Sequence, residues 1–206
     1  MATSSPEQGG SAATAGTAAL AGDQAPLVGV IMGSRSDWAT LEHAGGILRV
    51  SRVPAATGAA LAAEGLRSAQ LLLDRLGHVG VLTLELFEAG GRLLANEFAP
   101  RVYNSGHWTI EGAETCQFEN HLRAICGLPL GATAARVSCA LVNLIGALPP
   151  KERVLAIPGA RLHVYGKELA PGRKLGHVTV TSPDREELER RLAGLLEVVG
   201  ALGAIE

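Results

Sequence analysis

Short apolar runs and longer Ala- and Leu-rich stretches alternate along the chain, and this change of period predicts strands and helices. Residues 27–32 are a short apolar run of strand length, and residues 47–53 also favour a strand. Residues 38–44 and 55–76 favour helices, and Gly77 supplies the glycine that commonly ends a helix. The first part of the chain is therefore predicted to be strand, helix, strand, helix.

Two further apolar runs with glycines between them predict a β-hairpin. Residues 79–87 and 92–98 are the two strands, and residues 88–91 contain the glycines of the connection. If the turn is centred near Gly91, Glu85 and Glu97 lie at equal distances from it along the chain. The two carboxylates then face each other on the same side of the ribbon.

The remainder of the chain alternates in the same way. Residues 114–126 predict a helix whose core-facing side carries Phe118, Leu122 and Ile125. Residues 137–145, 161–165 and 177–181 predict strands, and a closing helix is predicted from the cap residue Ser182 to about residue 199. Alternating strands and helices without a repeat predict an α/β or α+β fold.

Composition and charge narrow the class of protein. The chain has 18 basic and 20 acidic side chains and a formal charge of −2, so its overall charge gives no reason to bind nucleic acid or a membrane. No apolar run approaches the ~20 residues of a membrane span, and no secretory signal is recognisable. Three separated cysteines predict buried, reduced thiols. We expect a cytoplasmic protein with a disordered leader over residues 1–26.

The facing pair Glu85 and Glu97 is the first candidate for chemistry. Two carboxylates opposite each other on a ribbon repel unless something positive lies between them. A divalent cation that prefers oxygen ligands, most simply Mg²⁺, would remove the repulsion, and Asn96 is a further oxygen donor nearby. The alternative is that one glutamate pairs with an arginine such as Arg92 or Arg101.

Polar side chains are dense in the irregular segment that follows the hairpin. Arg101, Asn104, Ser105 and His107 lie beside the paired carboxylates in sequence, as expected for a loop that holds a phosphorylated, metal-bound substrate. A surface loop with a helix-capping role is the alternative. The turn at residues 33–37 could likewise cradle a phosphate with its amides and hydroxyls, although it lacks the lysine and spacing of a Walker A loop.

A second group of cations lies near the end of the chain. Lys167, Arg173 and Lys174 bracket the turn at residues 171–172 and together would suit a phosphate. The alternative is an ordinary solvated basic turn. Residue types alone leave both interpretations open.

A series of motifs in a fixed order carries a family resemblance. They are GVLTLELF at 80–87, NEFAPR at 96–101, NSGHWT at 104–109, QFENHLR at 117–123, VNLIG at 142–146, YGKE at 165–168 and PGRK at 171–174. Over about residues 45–199 the chain closely resembles the C-terminal half of 5-(carboxyamino)imidazole ribonucleotide synthase, the ATP-grasp enzyme of de novo purine synthesis.

The resemblance implies the C-terminal half of an ATP-grasp fold, a small β-rich C-terminal domain and a homodimer. It also implies carboxylation of 5-aminoimidazole ribonucleotide with ATP and bicarbonate through carboxyphosphate. Glu85 and Glu97 match the family's Mg²⁺-binding carboxylates. The other residues carried over are Arg101 and Lys167 as catalytic groups, Asn104, Ser105, His107, Asn143, Arg173 and Lys174 as substrate ligands, and Asn96 beside the cofactor.

One position departs from the family. The family usually has histidine where this chain has Tyr103. Tyrosine donates and accepts hydrogen bonds but carries protons poorly near neutral pH. If that histidine transfers a proton in the family, this chain is expected to lose activity.

Residues 27–44 resemble the beginning of a different family, 5-(carboxyamino)imidazole ribonucleotide mutase. Its Gly-Ser-x-Ser-Asp turn holds the ribonucleotide phosphate, which carries over to Ser34, Ser36 and Asp37. The mutase's catalytic Ser-x-His-Arg segment does not follow, so mutase activity is not expected. Our hypothesis is an in-frame fusion of neighbouring mutase and synthase genes.

The expected organisation is a leader at 1–26, a mutase-like strand-turn-helix at 27–44, an ATP-grasp subdomain at 45–130 and a small C-terminal domain at 131–206. The synthase's N-terminal and central domains have no counterpart in this sequence, so most of the ATP site is expected to be missing. Two functions stay open. One is a synthase that needs another chain for the missing domains, and the other is a non-catalytic module that binds Mg²⁺ or a ribonucleotide phosphate, or forms the family's dimer contact.

Overall fold

The computed structural model describes residues 28–33, 50–53 and 58–200, and the first of these ranges only as backbone. The elements are β1 (Val28–Gly33), β2 (Val50–Val53), α1 (Ala59–Leu76), β3 (Leu82–Ala89), β4 (Arg92–Ala99), a 3₁₀ turn (Asn104–Gly106), α2 (Thr109–Gly112), α3 (Gln117–Ile125), β5 (Ser138–Ile145), α4 (Lys151–Leu155), β6 (Ala160–Val164), β7 (Lys174–Ser182) and α5 (Arg185–Gly200). The mixture confirms the predicted fold class. The leader at 1–26 and the helix at 38–44 lie outside the described residues.

The strands form two sheets. The first has the order β1-β3-β4, with β1 parallel to β3 and β3 antiparallel to β4. The second has the order β2-β5-β7-β6 and is antiparallel throughout. Strand β2 precedes the hairpin in sequence but pairs with β5, so the chain crosses between the sheets more than once.

Each sheet buries one face against a helix. In the first sheet, the alternate residues Leu82, Leu84 and Leu86 of β3 pack on Ala69 and Leu73 of α1. In the second, β5 and β7 bury their apolar side chains against α5, which contributes Leu188, Leu192, Leu195, Val198 and Val199. The alternation of strand residues therefore directs Thr83, Glu85 and Phe87 to the opposite face of the hairpin, the face named free because α1 does not cover it.

Helix α3 turns the side opposite to the predicted one toward the protein. Leu122 and Ile125 are 59% and 53% exposed, whereas Gln117 and Asn120 are buried. The prediction that Phe118, Leu122 and Ile125 face the core is therefore wrong. The reason is that the buried amides satisfy backbone groups: Asn120 donates to the carbonyl of Gly131 and accepts from its N–H.

The closing helix also begins later than predicted. The Asp184 carboxylate accepts a hydrogen bond from the Glu187 N–H at 2.7 Å, so Asp184 caps α5. Ser182 is the last residue of β7, and its hydroxyl accepts from the Asp184 N–H. The short helices α2 and α4 were not predicted, because so few residues show no apolar period.

The sequence predicted buried, reduced thiols and no membrane-spanning segment. All three cysteines are free thiols, but only Cys139 is buried, while Cys126 is exposed. Burial raises the pKa of Cys139 to about 12. Within the described part of the chain, no helix has both the length and the apolar character needed to cross a lipid bilayer.

Packing between β6 and β7 requires a glycine at position 176. A Cβ added to Gly176 would lie 2.2 Å from the backbone oxygen of His163, which cannot move without disturbing the strand. We expect Gly176→Ala to lower the free energy of unfolding by about 1–3 kcal/mol, measured by urea denaturation. The control is Gly194→Ala within α5, where a Cβ meets nothing within 4 Å. That change should stabilise by about 0.5–1 kcal/mol, and equal effects of the two variants would contradict the packing argument.

Candidate functional site

The geometry of the hairpin depends on a β-bulge in β4. The strands turn at Gly90 and Gly91, whose φ angles of 57° and 72° are those of a two-residue type I′ loop. Near the turn Leu86 pairs with Ala95, and an unbroken ladder would next place Glu85 opposite Asn96. The register shifts between Glu85 and Leu86 instead, so Glu85 pairs with Glu97 and Asn96 is the extra residue.

The bulge decides on which face Glu97 projects. Without the extra residue, Glu97 would lie opposite Leu84, on the face that α1 covers. With it, both carboxylates project to the free face of the hairpin. The predicted pairing of Glu85 with Glu97 is confirmed, although the turn is centred between Gly90 and Gly91 and the bulge supplies the remaining offset.

Hydrogen-bond donors lie between the two carboxylates. Asn96 Nδ2 donates to Glu85 Oε1 at 2.6 Å. The Tyr103 hydroxyl donates to Glu97 Oε1 and lies 3.4 Å from Glu85 Oε2. Burial, and the adjacent carboxylates after it, raise the pKa of Tyr103 above its usual range, so the phenol keeps its proton. The charge repulsion is thus relieved by neutral donors.

The pairing with an arginine that the sequence left open is not observed. Among the described residues, neither Glu85 nor Glu97 forms an ion pair with Arg92 or Arg101. The Arg101 guanidinium lies 5.1 Å from the centre of the Tyr103 ring and donates to the Val102 carbonyl. Arg101 therefore contacts the ring that bridges the glutamates.

Gln117, the first residue of α3, fixes the position of Tyr103. Its side chain accepts from the Tyr103 N–H at 3.0 Å and donates to the Tyr103 carbonyl at 2.9 Å. The side chain packs so closely on Gly106 that a Cβ there would lie 2.5 Å from Gln117 Oε1. Gln117 belongs to one of the family motifs, but no role could be predicted for it, since its contacts are made across the loop.

Three histidines meet where the loop after the hairpin reaches β6 and β7. The rings of His163 and His177 stack with centroids 4.4 Å apart, and His107 lies 5.2 Å from His177. His163 Nε2 lies 2.7 Å from a Glu111 oxygen, and the Tyr165 hydroxyl lies 2.7 Å from His177 Nδ1. Of these residues, only His107 was a predicted site residue.

Burial keeps two of these histidines neutral. It lowers the pKa of His177 to about 3, with help from His163 and His107. It lowers the pKa of His107 to about 4, with help from Lys174 and His163. Near neutral pH both imidazoles can therefore donate and accept hydrogen bonds but carry no charge.

Asn104 and Lys174 join the loop to the second sheet. Lys174 Nζ donates to Asn104 Oδ1 at 2.8 Å. Burial lowers the pKa of Lys174, and so does Lys167, whereas the Glu85 carboxylate acts in the opposite direction. The ammonium of Lys174 therefore interacts electrostatically with the Glu85 carboxylate.

The other predicted residues lie at varying distances from this centre. Ser105 is buried in the 3₁₀ turn, and Asn143 is buried on β5 opposite His177. Lys167 is exposed, with its ammonium 5.5 Å from the centre of the Tyr165 ring. The exposed Arg173 guanidinium donates to the Glu168 carbonyl at 3.4 Å. Ser34, Ser36 and Asp37 lie outside the described residues.

The donor set fits Mg²⁺ shared with a phosphate. Among the described residues, no group of three or more His, Cys, Asp or Glu side chains could hold a metal ion alone. Protein sites for Mg²⁺ usually supply one or two carboxylates and leave the remaining positions to water and phosphate oxygens. Glu85 and Glu97, facing each other on the free face of the hairpin, provide that number.

Family comparisons match two parts of the chain. Residues 33–118 match the ATP-grasp domain, and residues 139–191 match the phosphoribosylaminoimidazole carboxylase C-terminal domain. The described chain is therefore an α/β ATP-grasp fold followed by that C-terminal domain.

Known proteins give the same result. The N5-carboxyaminoimidazole ribonucleotide synthase of Pseudomonas aeruginosa is 50% identical over 159 residues, which are 77% of this chain and 44% of the relative. The crystal structure of the Thermus thermophilus synthetase matches with a TM-score of 0.73 at 55% identity, covering 75% of this chain and 43% of that one. An Aspergillus clavatus synthase in complex with ADP and 5-aminoimidazole ribonucleotide matches with a TM-score of 0.70 at 35% identity, covering 76% and 44%. The chain spans less than half the length of these relatives.

The histidine cluster predicts loss of stability in mild acid. Because the folded pKa values lie below the ordinary value of 6.5, the unfolded chain binds more protons as pH falls from about 6.5 toward 4. Above about pH 6.5 His177 makes its full contribution to the free energy of unfolding. As the pH falls below that value, this contribution decreases by on the order of 1 kcal/mol per pH unit. Urea denaturation at several pH values measures this slope.

The variant that tests this prediction is His177→Gln, which should flatten the dependence of stability on pH. The control is Val180→Ala on the same strand, which removes core packing but no titrating group. It should lower stability by a similar amount at every pH. An unchanged slope in His177→Gln would show that the acid sensitivity arises elsewhere.

Proposed function

We propose that this chain, a homologue of the N5-carboxyaminoimidazole ribonucleotide synthases over its ATP-grasp and C-terminal-domain region, carries the part of that ligase which holds Mg²⁺, nucleotide phosphates and 5-aminoimidazole ribonucleotide. The reaction class is carboxylation of the amine of the ribonucleotide with ATP and bicarbonate. The observation that carries the proposal is the glutamate pair, which the bulge at Asn96 places on one face of the hairpin.

The glutamates are assigned to the cation and Asn96 to orienting Glu85. Mg²⁺ bound there would neutralise phosphate charge during phosphoryl transfer. Arg101, with its exposed guanidinium beside Tyr103, is assigned to the transferred phosphate. Lys174 donates a hydrogen bond to Asn104 and interacts electrostatically with Glu85. Its ammonium is assigned to a phosphate oxygen on the other side of the site.

The ribonucleotide is assigned to the seam, which is the contact between the loop at residues 104–107 and strands β5 and β7 of the second sheet. Among the described atoms, Ser105 Oγ is buried and has no hydrogen-bond partner, so it can serve a ribose hydroxyl. The side-chain amide of Asn104, the preceding residue, is assigned to the same ribose. His107 and Asn143 border the same seam, through the ring contact of His107 with His177 and the pairing of Asn143 with His177. Lys167 and Arg173 are exposed at its rim and suit the 5′-phosphate.

The proposal extends to the beginning of the chain and to its domain limits. Residues 27–44 are assigned a mutase-like phosphate turn with Ser34, Ser36 and Asp37 but no mutase chemistry. The parallel pairing of β1 with β3 supports a place for the beginning of that segment on the synthase sheet. Domain limits at residues 45–130 and 131–206, a homodimer and a cytoplasmic location belong to the same proposal.

A second function is favoured by one observation. The chain spans 41% and 44% of the length of two curated relatives that it matches. The second candidate is a binding module for Mg²⁺ and a ribonucleotide phosphate, without turnover of its own.

Turnover separates the two functions. ADP release that requires both 5-aminoimidazole ribonucleotide and bicarbonate would establish the ligase. For the 206-residue chain alone we expect Mg²⁺ binding but no release above the blank, since so much of the relatives' length is not represented. Release by the folded chain alone would overturn the binding-module alternative.

The cation site predicts a clear effect of single substitutions. Glu85→Gln or Glu97→Gln should abolish Mg²⁺ binding in isothermal titration, because each removes one of two charged ligands. The thermal midpoint should stay equal or rise slightly, since the like-charge repulsion is removed.

The matched control is Glu88→Gln, which changes a glutamate of the same strand that pairs with Leu93 on the opposite face. It should leave the titration unchanged. If all three variants bind Mg²⁺ as the wild type does, the proposed site is wrong.

A further inference from the structure

We infer that the Tyr103 hydroxyl competes with the divalent cation for Glu85 and Glu97, so that Tyr103 sets the cation affinity of this chain. The inference rests on the proposed function, because it assumes that the glutamate pair is the cation site. It concerns a different residue and two different quantities: the affinity of the site for the cation and the stability of the protein without metal.

The position of the phenol oxygen carries the inference. It donates to Glu97 Oε1 and lies 3.4 Å from Glu85 Oε2, which places it between the two carboxylates. A cation shared by both glutamates needs the same space, because Mg²⁺–oxygen distances are about 2.0–2.1 Å. Cation binding therefore requires the hydroxyl to leave its two acceptors.

The surroundings of Tyr103 oppose that movement. Gln117 holds its backbone through both the N–H and the carbonyl, and Arg101 lies over its ring. The side chain must rotate away while its backbone stays fixed, losing the contact with both carboxylates and the ring contact with Arg101. This cost is subtracted from the free energy of cation binding.

The same contact stabilises the protein when no cation is present. The hydroxyl and the Asn96 amide are the donors that the structure shows at the two facing carboxylates. Removing the hydroxyl takes away the donor that Glu97 has in the described part of the chain and increases the repulsion. Tyr103 thus has opposite effects on stability without metal and on metal affinity.

These opposite effects distinguish competition from a merely structural role. Tyr103→Phe keeps the ring and its contact with Arg101 but removes the hydroxyl. A residue that only maintained the loop would weaken metal binding when it is changed. Competition predicts that the variant is less stable without metal and binds the cation more tightly.

The experiment titrates Mn²⁺ and Mg²⁺ into the full chain by calorimetry and records thermal midpoints with and without each ion. We expect Tyr103→Phe to bind Mn²⁺ at least about fivefold more tightly than the wild type. Adding metal should also raise the thermal midpoint of the variant more than that of the wild type. Tyr165→Phe is the matched control, because its hydroxyl bonds His177 and not the glutamates. It should bind like the wild type.

The double variant Tyr103→Phe/Glu97→Gln separates this inference from the proposed function. The wild type and Tyr103→Phe could bind the cation with equal affinity, while Glu97→Gln abolishes binding in both backgrounds. That result would support the cation site and overturn the role of Tyr103. If neither the wild type nor Tyr103→Phe binds either ion, the cation site and this inference both fail. Should Tyr103→Phe not fold, Tyr103→Leu, which has neither a hydroxyl nor a metal-ligating atom, is measured in the same way, and affinity equal to or below that of the wild type would overturn the inference.

Discussion

The repulsion between two carboxylates on one face of a hairpin is the constraint around which the site is organised. A single extra residue, Asn96, moves Glu97 from the face covered by α1 to the face that carries Glu85. The structure then relieves the repulsion with the Asn96 amide and the Tyr103 hydroxyl. Neutral donors reduce the electrostatic cost without supplying the charge that a cation would supply.

The position of the Tyr103 hydroxyl between the two carboxylates determines how Gly106 and helix α3 are arranged. Gln117 must reach the Tyr103 backbone, so α3 turns its amide-bearing side inward and leaves Leu122 and Ile125 exposed. Gly106 must lack a side chain because Gln117 occupies that space. A helix with a strongly apolar side is thus oriented by two hydrogen-bonding amides, since buried polar groups without partners cost more than exposed apolar ones.

The sequence could predict the hairpin because its strands, its glycines and the alternation of its side chains are local properties. The pairing of Glu85 with Glu97 followed from them, although the prediction contained no bulge. The orientation of α3 could not be predicted, because Phe118, Leu122 and Ile125 show the period of a buried face and only contacts with a distant loop override it. The histidine cluster was missed for the same reason, because its members are far apart in sequence. His163 and His177 meet through the pairing of β6 with β7, and His107 reaches them from the loop.

Both sheets contribute charged residues to the candidate site. The glutamates belong to the first sheet and Lys174 to the second, and Asn104 connects them by its bond to the lysine. The neutral rings of His107 and His177 pack the loop onto β7, so the relative position of the charges depends on residues that carry none. Replacing His163 or His177, which have no assigned ligand role, should therefore alter phosphate or cation binding, because it changes the distance between Lys174 and Glu85.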